Sequence, residues 1–129
     1  MSIDTQTPPA TAAGKIAELN DRFRRSLSND PASLSLGKKL ITSGVRALGV
    51  FAVVDIAERV VAFDHFPEGD DPYGEHDFGA FDYEDRRIFW KIDYYDRASF
   101  GTAEEFGSAD PADPAKTMRV LTVMLADEY

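Results

Sequence analysis

The chain contains no cysteine. That excludes a disulfide framework, a cysteine-ligated zinc site and a thiol nucleophile, so stability must come from packing and hydrogen bonds. No stretch approaches the ~20 apolar residues needed to span a bilayer. Met1 to Gly14 lacks the basic start and apolar run of a secretion signal. A cytoplasmic protein without membrane contact is the expectation. Glycine is scattered: Gly74, Gly79, Gly101 and Gly107 do not form a phosphate-cradling loop between a strand and a helix. Ser99, Ser108, His65 and His76 show no nucleophile elbow or triad context. No motif calls for a cofactor.

Basic residues are also missing from one long stretch. Between Asp64 and Asp85 there are nine carboxylates and no Lys or Arg. Residues 1–60 carry eight basic and six acidic side chains, whereas residues 61–129 carry six and seventeen, a balance of −11 in a chain of net charge −9. Such a field repels a phosphate backbone, which argues against direct nucleic-acid binding and for a basic protein surface as partner.

What is present reads as a single α+β domain of residues 15–129 behind a disordered Thr/Pro/Ala-rich tail of residues 1–14. Ile16, Leu19, Phe23 and Leu27 recur at helical spacing, and Asn29-Asp30-Pro31 stops that helix. Leu40-Ile41-Thr42 reads as a short strand before a helical turn that Gly49 ends. Over residues 51–63, Val53, Ile56, Ala57, Val60 and Phe63 share one face of a second helix, expected to be largely buried. Pro67 to Gly74 has loop composition. Phe78–Tyr83 and Arg87–Tyr95 then read as a hairpin turned by Glu84-Asp85-Arg86, with Ile88, Trp90 and Ile92 on the core face and Phe89 and Tyr95 opposite. Asp113 and Pro114 resemble a helix cap and first turn, which favours a terminal helix through Val120, Leu121, Met124 and Leu125; a strand over Arg119–Leu125 is the alternative. The resulting architecture is a small antiparallel sheet built on a β-hairpin and packed by two to three helices.

Two functional readings arise. In the first, Asp70, Asp71, Glu75, Asp77, Asp82, Glu84 and Asp85 gather on one acidic face, joined by the aromatic residues Phe89 and Tyr95, and dock on a basic partner without catalysis. In the second, Glu75, His76, Asp77, Asp93 and Asp96 hold a hard divalent ion and serve a metal-dependent hydrolase or nuclease-like enzyme. Their spacing matches no defined metal motif, and consecutive strand residues point to opposite faces. Taken singly, His76 reads as a donor to a backbone carbonyl and Asp77 as a turn cap.

The segments Asp71–Phe81, Phe89–Asp96 and Arg119–Ala126, together with Glu128-Tyr129 and Leu19–Arg24, closely resemble the family known as domain of unknown function 3768, over about residues 15–129. Glu84-Asp85-Arg86 departs from it where glycine is common in the turn, as does the basic pair Lys38-Lys39. The resemblance implies short bacterial proteins, chiefly alphaproteobacterial and often carried on plasmids and mobile elements, and supplies no catalytic residues. With that setting, the acidity suggests an accessory or anti-defence role, an anti-CRISPR or anti-restriction inhibitor that imitates phosphates to occupy a nucleic-acid-binding complex.

Overall fold

A computed structural model describes residues 11–26 and 30–129. Residues 1–10 of the expected tail, and Leu27 and Asn29 of the expected helix stripe and stop, lie outside the described residues. Helix α1 spans Ala12–Arg25 and so starts inside the stretch expected as tail: the Thr11 side chain accepts the Gly14 N–H at 2.9 Å, closing its first turn. Its last turn carries Arg22, Arg24 and Arg25, matching the negative end of the helix dipole. Ile16, Leu19 and Phe23 are buried as the spacing requires, but so are Asn20 and Arg24 on the same face.

Helix α2 (Pro31–Leu36) leads into strand β1 (Gly37–Ile41), and a short helix α3 (Ser43–Arg46) follows. Gly49 takes the left-handed φ of 106° and reverses the chain before α4 (Val50–Ala62). The predicted face of α4 packs inward through Ile56 and Val60. The helix is less buried than expected, because Val50, Phe51, Val54 and Val61 face solvent.

Strands β2 (Phe78–Tyr83) and β3 (Arg86–Asp96) form the expected hairpin. Its turn is two residues rather than three, since Arg86 already pairs with Tyr83, and Glu84 takes φ 55°, a conformation that glycine adopts more readily. The predicted terminal helix is instead strand β4 (Thr117–Leu125), followed by a 3-10 turn at Ala126–Glu128. Asp113 and Pro114 do initiate a turn, in which the Asp113 carboxylate accepts the Ala115 N–H at 2.9 Å, but the chain then extends. Val120, Leu121, Val123 and Met124 are buried on both faces of a central strand, so the apolar run lacks the two-residue alternation that identifies a strand exposed on one side.

The sheet order is β1-β4-β3-β2, with β1 parallel to β4 and the other pairs antiparallel. The α+β class therefore stands, with a mixed sheet and, among the described residues, four α-helices in place of an antiparallel sheet and two or three. Ile88, Trp90 and Ile92 of β3 and Leu121 and Val123 of β4 meet Leu19, Phe23, Ile56 and Val60 from α1 and α4 to form the core. On the opposite sheet face the aromatic partners are Tyr129, from the C-terminal turn, and Phe100, from the loop after β3.

Candidate functional site: a recess between the acidic loop and the sheet

The loop from Phe63 to Asp77 is held from within. The buried Asp71 carboxylate accepts the N–H groups of Glu75 (2.9 Å) and His76 (3.2 Å), a local bond that sets the loop's return. Gly74 and His76 take left-handed φ values of 69° and 56° there. The His76 ring stacks flat on Phe66 (3.9 Å between centroids, planes 3° apart), and its Nδ1 lies 3.0 Å from both carboxylate oxygens of Asp21 on α1. Its Nε2 is 3.9 Å from Asp71. Asp21, 55 residues away in sequence, carries no signal in the chain that would have named it as this partner.

Glu75 continues the network. It accepts the Tyr94 hydroxyl at 3.0 Å, Tyr94 accepts from Asn20 at 2.8 Å, and Asn20 accepts from the Arg119 Nε at 2.7 Å. Arg119 ends the chain by donating to the Pro111 carbonyl at 2.6 Å. Asn20 and Arg119 have no solvent exposure. Burial is the main cause that raises the Tyr94 hydroxyl pKa and lowers that of the Arg119 guanidinium. Glu75 and His76 thus tie the acidic loop to α1 and the sheet, and Asp71 closes the loop on itself.

Asp70, Asp77 and Asp93 lie together elsewhere, with Tyr73, Phe78 and Tyr129, around an open recess of about 380 Å³ that also contains Lys91. The Lys91 ammonium bonds Asp93. Asp77 forms no ion pair among the described residues; burial raises its pKa, and the nearby Glu75 raises it further. The Phe78 and Phe89 rings contact each other edge-on (5.0 Å, 68°), and Tyr129 meets Phe89 (5.8 Å, 81°). Tyr95 lies farther along β3 against Phe100 at 5.5 Å.

The seven expected partner-binding carboxylates consequently occupy three places. Asp71 and Glu75 are engaged internally, and Asp70 and Asp77 border the recess. Asp82, Glu84 and Asp85 sit at the hairpin tip, where Asp82 pairs with Arg87 at 3.1 Å. The length of β2 separates Asp77 from Glu84, about 20 Å at ~3.3 Å per residue. Of the alternative metal set, Glu75 and His76 serve the internal network, Asp93 pairs with Lys91 on the opposite sheet face, and Asp96 accepts the Ser99 N–H at 3.0 Å. Among the described residues no three His, Asp or Glu side chains come together as a metal-ligand set. Nor is any helix there long and apolar enough to cross a membrane.

The helix-backed mixed sheet and the acidic-aromatic recess at its edge define a small two-layer α+β domain. The chain belongs to the family described as protein of unknown function (DUF3768), whose model matches residues 41–128, from the last residue of β1 to the 3-10 turn. The Leu19–Arg24 segment of the expected resemblance lies outside that match. No curated protein and no solved structure matches the chain significantly.

Proposed function

We propose that the protein is a non-enzymatic binding domain that takes a basic side chain of a partner protein into the recess bordered by Asp70, Asp77 and Asp93. The half-buried Asp77 carboxylate carries this reading: it stands beside Glu75 without an ion pair among the described residues, in surroundings that penalise its charge. An arginine or lysine placed there removes the penalty and gains a charge-assisted hydrogen bond. Tyr73, Phe78 and Tyr129 line the same recess, and an aromatic ring there attracts a cation placed over its face. The −11 balance of residues 61–129 steers a basic surface toward the site from a distance.

The finer reading is an anti-CRISPR or anti-restriction inhibitor occupying a cytoplasmic nucleic-acid-binding complex; the acidic balance and the family resemblance support it. Nucleic-acid-binding surfaces present the arginines and lysines that this recess would accept. The hydrolase reading has no converging ligand set among the described residues to support it.

The test is titration with an arginine-rich peptide and with its citrulline counterpart, followed by a pull-down from host lysate at low and high salt. Saturable binding of the arginine form alone, weakening steeply with salt, is expected. Asp70→Lys combined with Asp77→Asn should weaken it at least tenfold, whereas Glu84→Lys with Asp85→Lys at the hairpin tip should change it much less. Asp71 is left intact because its carboxylate holds the loop. Equal binding by the recess variant and the native chain would refute the proposal.

A further inference from the structure

A second cavity, of about 350 Å³, lies at the β1 edge of the sheet, the edge opposite the recess. Its apolar lining comes from Ile41, Ala57, Val60, Val61, Leu121 and Val123. Arg24, Lys39 and Arg46 also border it, and among the described residues no carboxylate does. Three cations around apolar walls are conspicuous in a chain of net charge −9. From this arrangement we infer a binding site for an amphipathic anion: a carboxylate on a hydrocarbon tail, as in a medium-chain fatty acid.

Each cation retains donor capacity. Arg24, with no solvent exposure, donates to the Val60 and Val61 carbonyls at 2.7 and 3.2 Å and to Asp21 at 3.1 Å, while its buried Nε has no partner among the described residues. The Lys39 ammonium donates to the Ser26 carbonyl and lies over the Phe23 ring at 5.4 Å. An ammonium has three donors, so one neutral carbonyl leaves it able to bind an anion. Burial lowers the Lys39 pKa and the field of Asp30 partly offsets this; a bound carboxylate adds to that offset. Arg46 is exposed at the rim and uses its Nε on the Ile41 carbonyl at 3.1 Å.

The walls select the rest of the ligand. A volume of about 350 Å³ is near the lower end of the ~300–1,000 Å³ usual for small-molecule pockets. It suits a single hydrocarbon chain. The charged end belongs with Lys39 and Arg46 and the tail against Val60, Val61 and Leu121.

Calorimetric titration of the full chain with butyrate, hexanoate and octanoate tests the inference. Saturable one-to-one binding is expected, tightening about fourfold for each added methylene until the cavity is filled. Lys39→Gln with Arg46→Gln should weaken octanoate at least tenfold, and Ala57→Phe should abolish binding by filling the cavity. Octanol should bind at least tenfold more weakly than octanoate. Circular dichroism and thermal melting establish that each variant folds. Should Ala57→Phe fail to fold, the Lys39/Arg46 pair and the octanol comparison decide the matter. Absence of saturable octanoate binding, octanol binding as tight as octanoate, or full affinity in the folded Lys39/Arg46 variant would each overturn it.

Discussion

Trp90→Ala removes a side chain with no solvent exposure from the middle of β3. The indole meets Phe63 at 5.5 Å and Phe66 at 6.1 Å, both edge-on, and the Arg24 guanidinium lies 5.1 Å from its centre. Gly79, its cross-strand partner, leaves the space that the ring fills. Losing the ring and leaving a cavity costs about 3–5 kcal/mol. The indole N–H is buried without an acceptor among the described residues, so none of their hydrogen bonds is lost, and its removal offsets about 1 kcal/mol. The net is about 2–4 kcal/mol, a large part of the ~5–15 kcal/mol typical of a folded domain. Urea unfolding should be followed by far-ultraviolet circular dichroism, because Trp90 is the one tryptophan and its fluorescence disappears with it. Trp90→Phe, which keeps an aromatic ring and removes the unpaired N–H, should cost clearly less. A loss below about 1 kcal/mol for the alanine variant, with an unchanged denaturant slope, would mean that the sheet faces are assigned one residue out of register.

Gly37→Ala and Gly79→Ala should both destabilise by about 1–3 kcal/mol or more, Gly37 the more severely. A methyl at Gly37 would lie 1.9 Å from the Arg119 carbonyl oxygen on the paired strand, whereas one at Gly79 would meet the Trp90 and Phe63 side chains, which have more freedom to shift; thermal melts would reveal the order. In the folded protein Asp77 holds its proton to a higher pH than in the unfolded chain, so its contribution to stability falls as pH rises from the ordinary carboxylate pKa through the raised one. Asp77→Asn should flatten that segment of the stability–pH curve and be at least as stable as the native chain at pH 7; an unchanged slope would count against the assignment. Asn20→Ala and Arg119→Met should show a coupling of about 1.5–3 kcal/mol in a double-mutant cycle, since their 2.7 Å bond is buried and charged, and additive losses would show that the bond contributes nothing.

The amino-acid sequence by itself determined the elements whose periodicity is local. Ile16, Leu19 and Phe23 mark the inner face of α1, Ile56 and Val60 that of α4, and Ile88, Trp90 and Ile92 the core face of β3. It also determined the acidic stretch and the family resemblance. These features are legible because residues two, three or four apart share a face whatever the remainder of the chain does. Arg119–Leu125 was ambiguous because β4 is covered on both faces and paired at both edges, so only the presence of β1 and β3 makes it a strand. The Glu75–Tyr94–Asn20–Arg119 network and the Asp21–His76 pair were invisible for a related reason. Their members are as much as 99 residues apart, and packing α1 against the sheet brings them together. The same packing engages Glu75, Asp71 is taken up by N–H groups of its own loop, and the length of β2 separates Asp77 from Glu84. A run of carboxylates determines net charge, but its distribution over the surface depends on strand register and on which backbone N–H groups each carboxylate must satisfy.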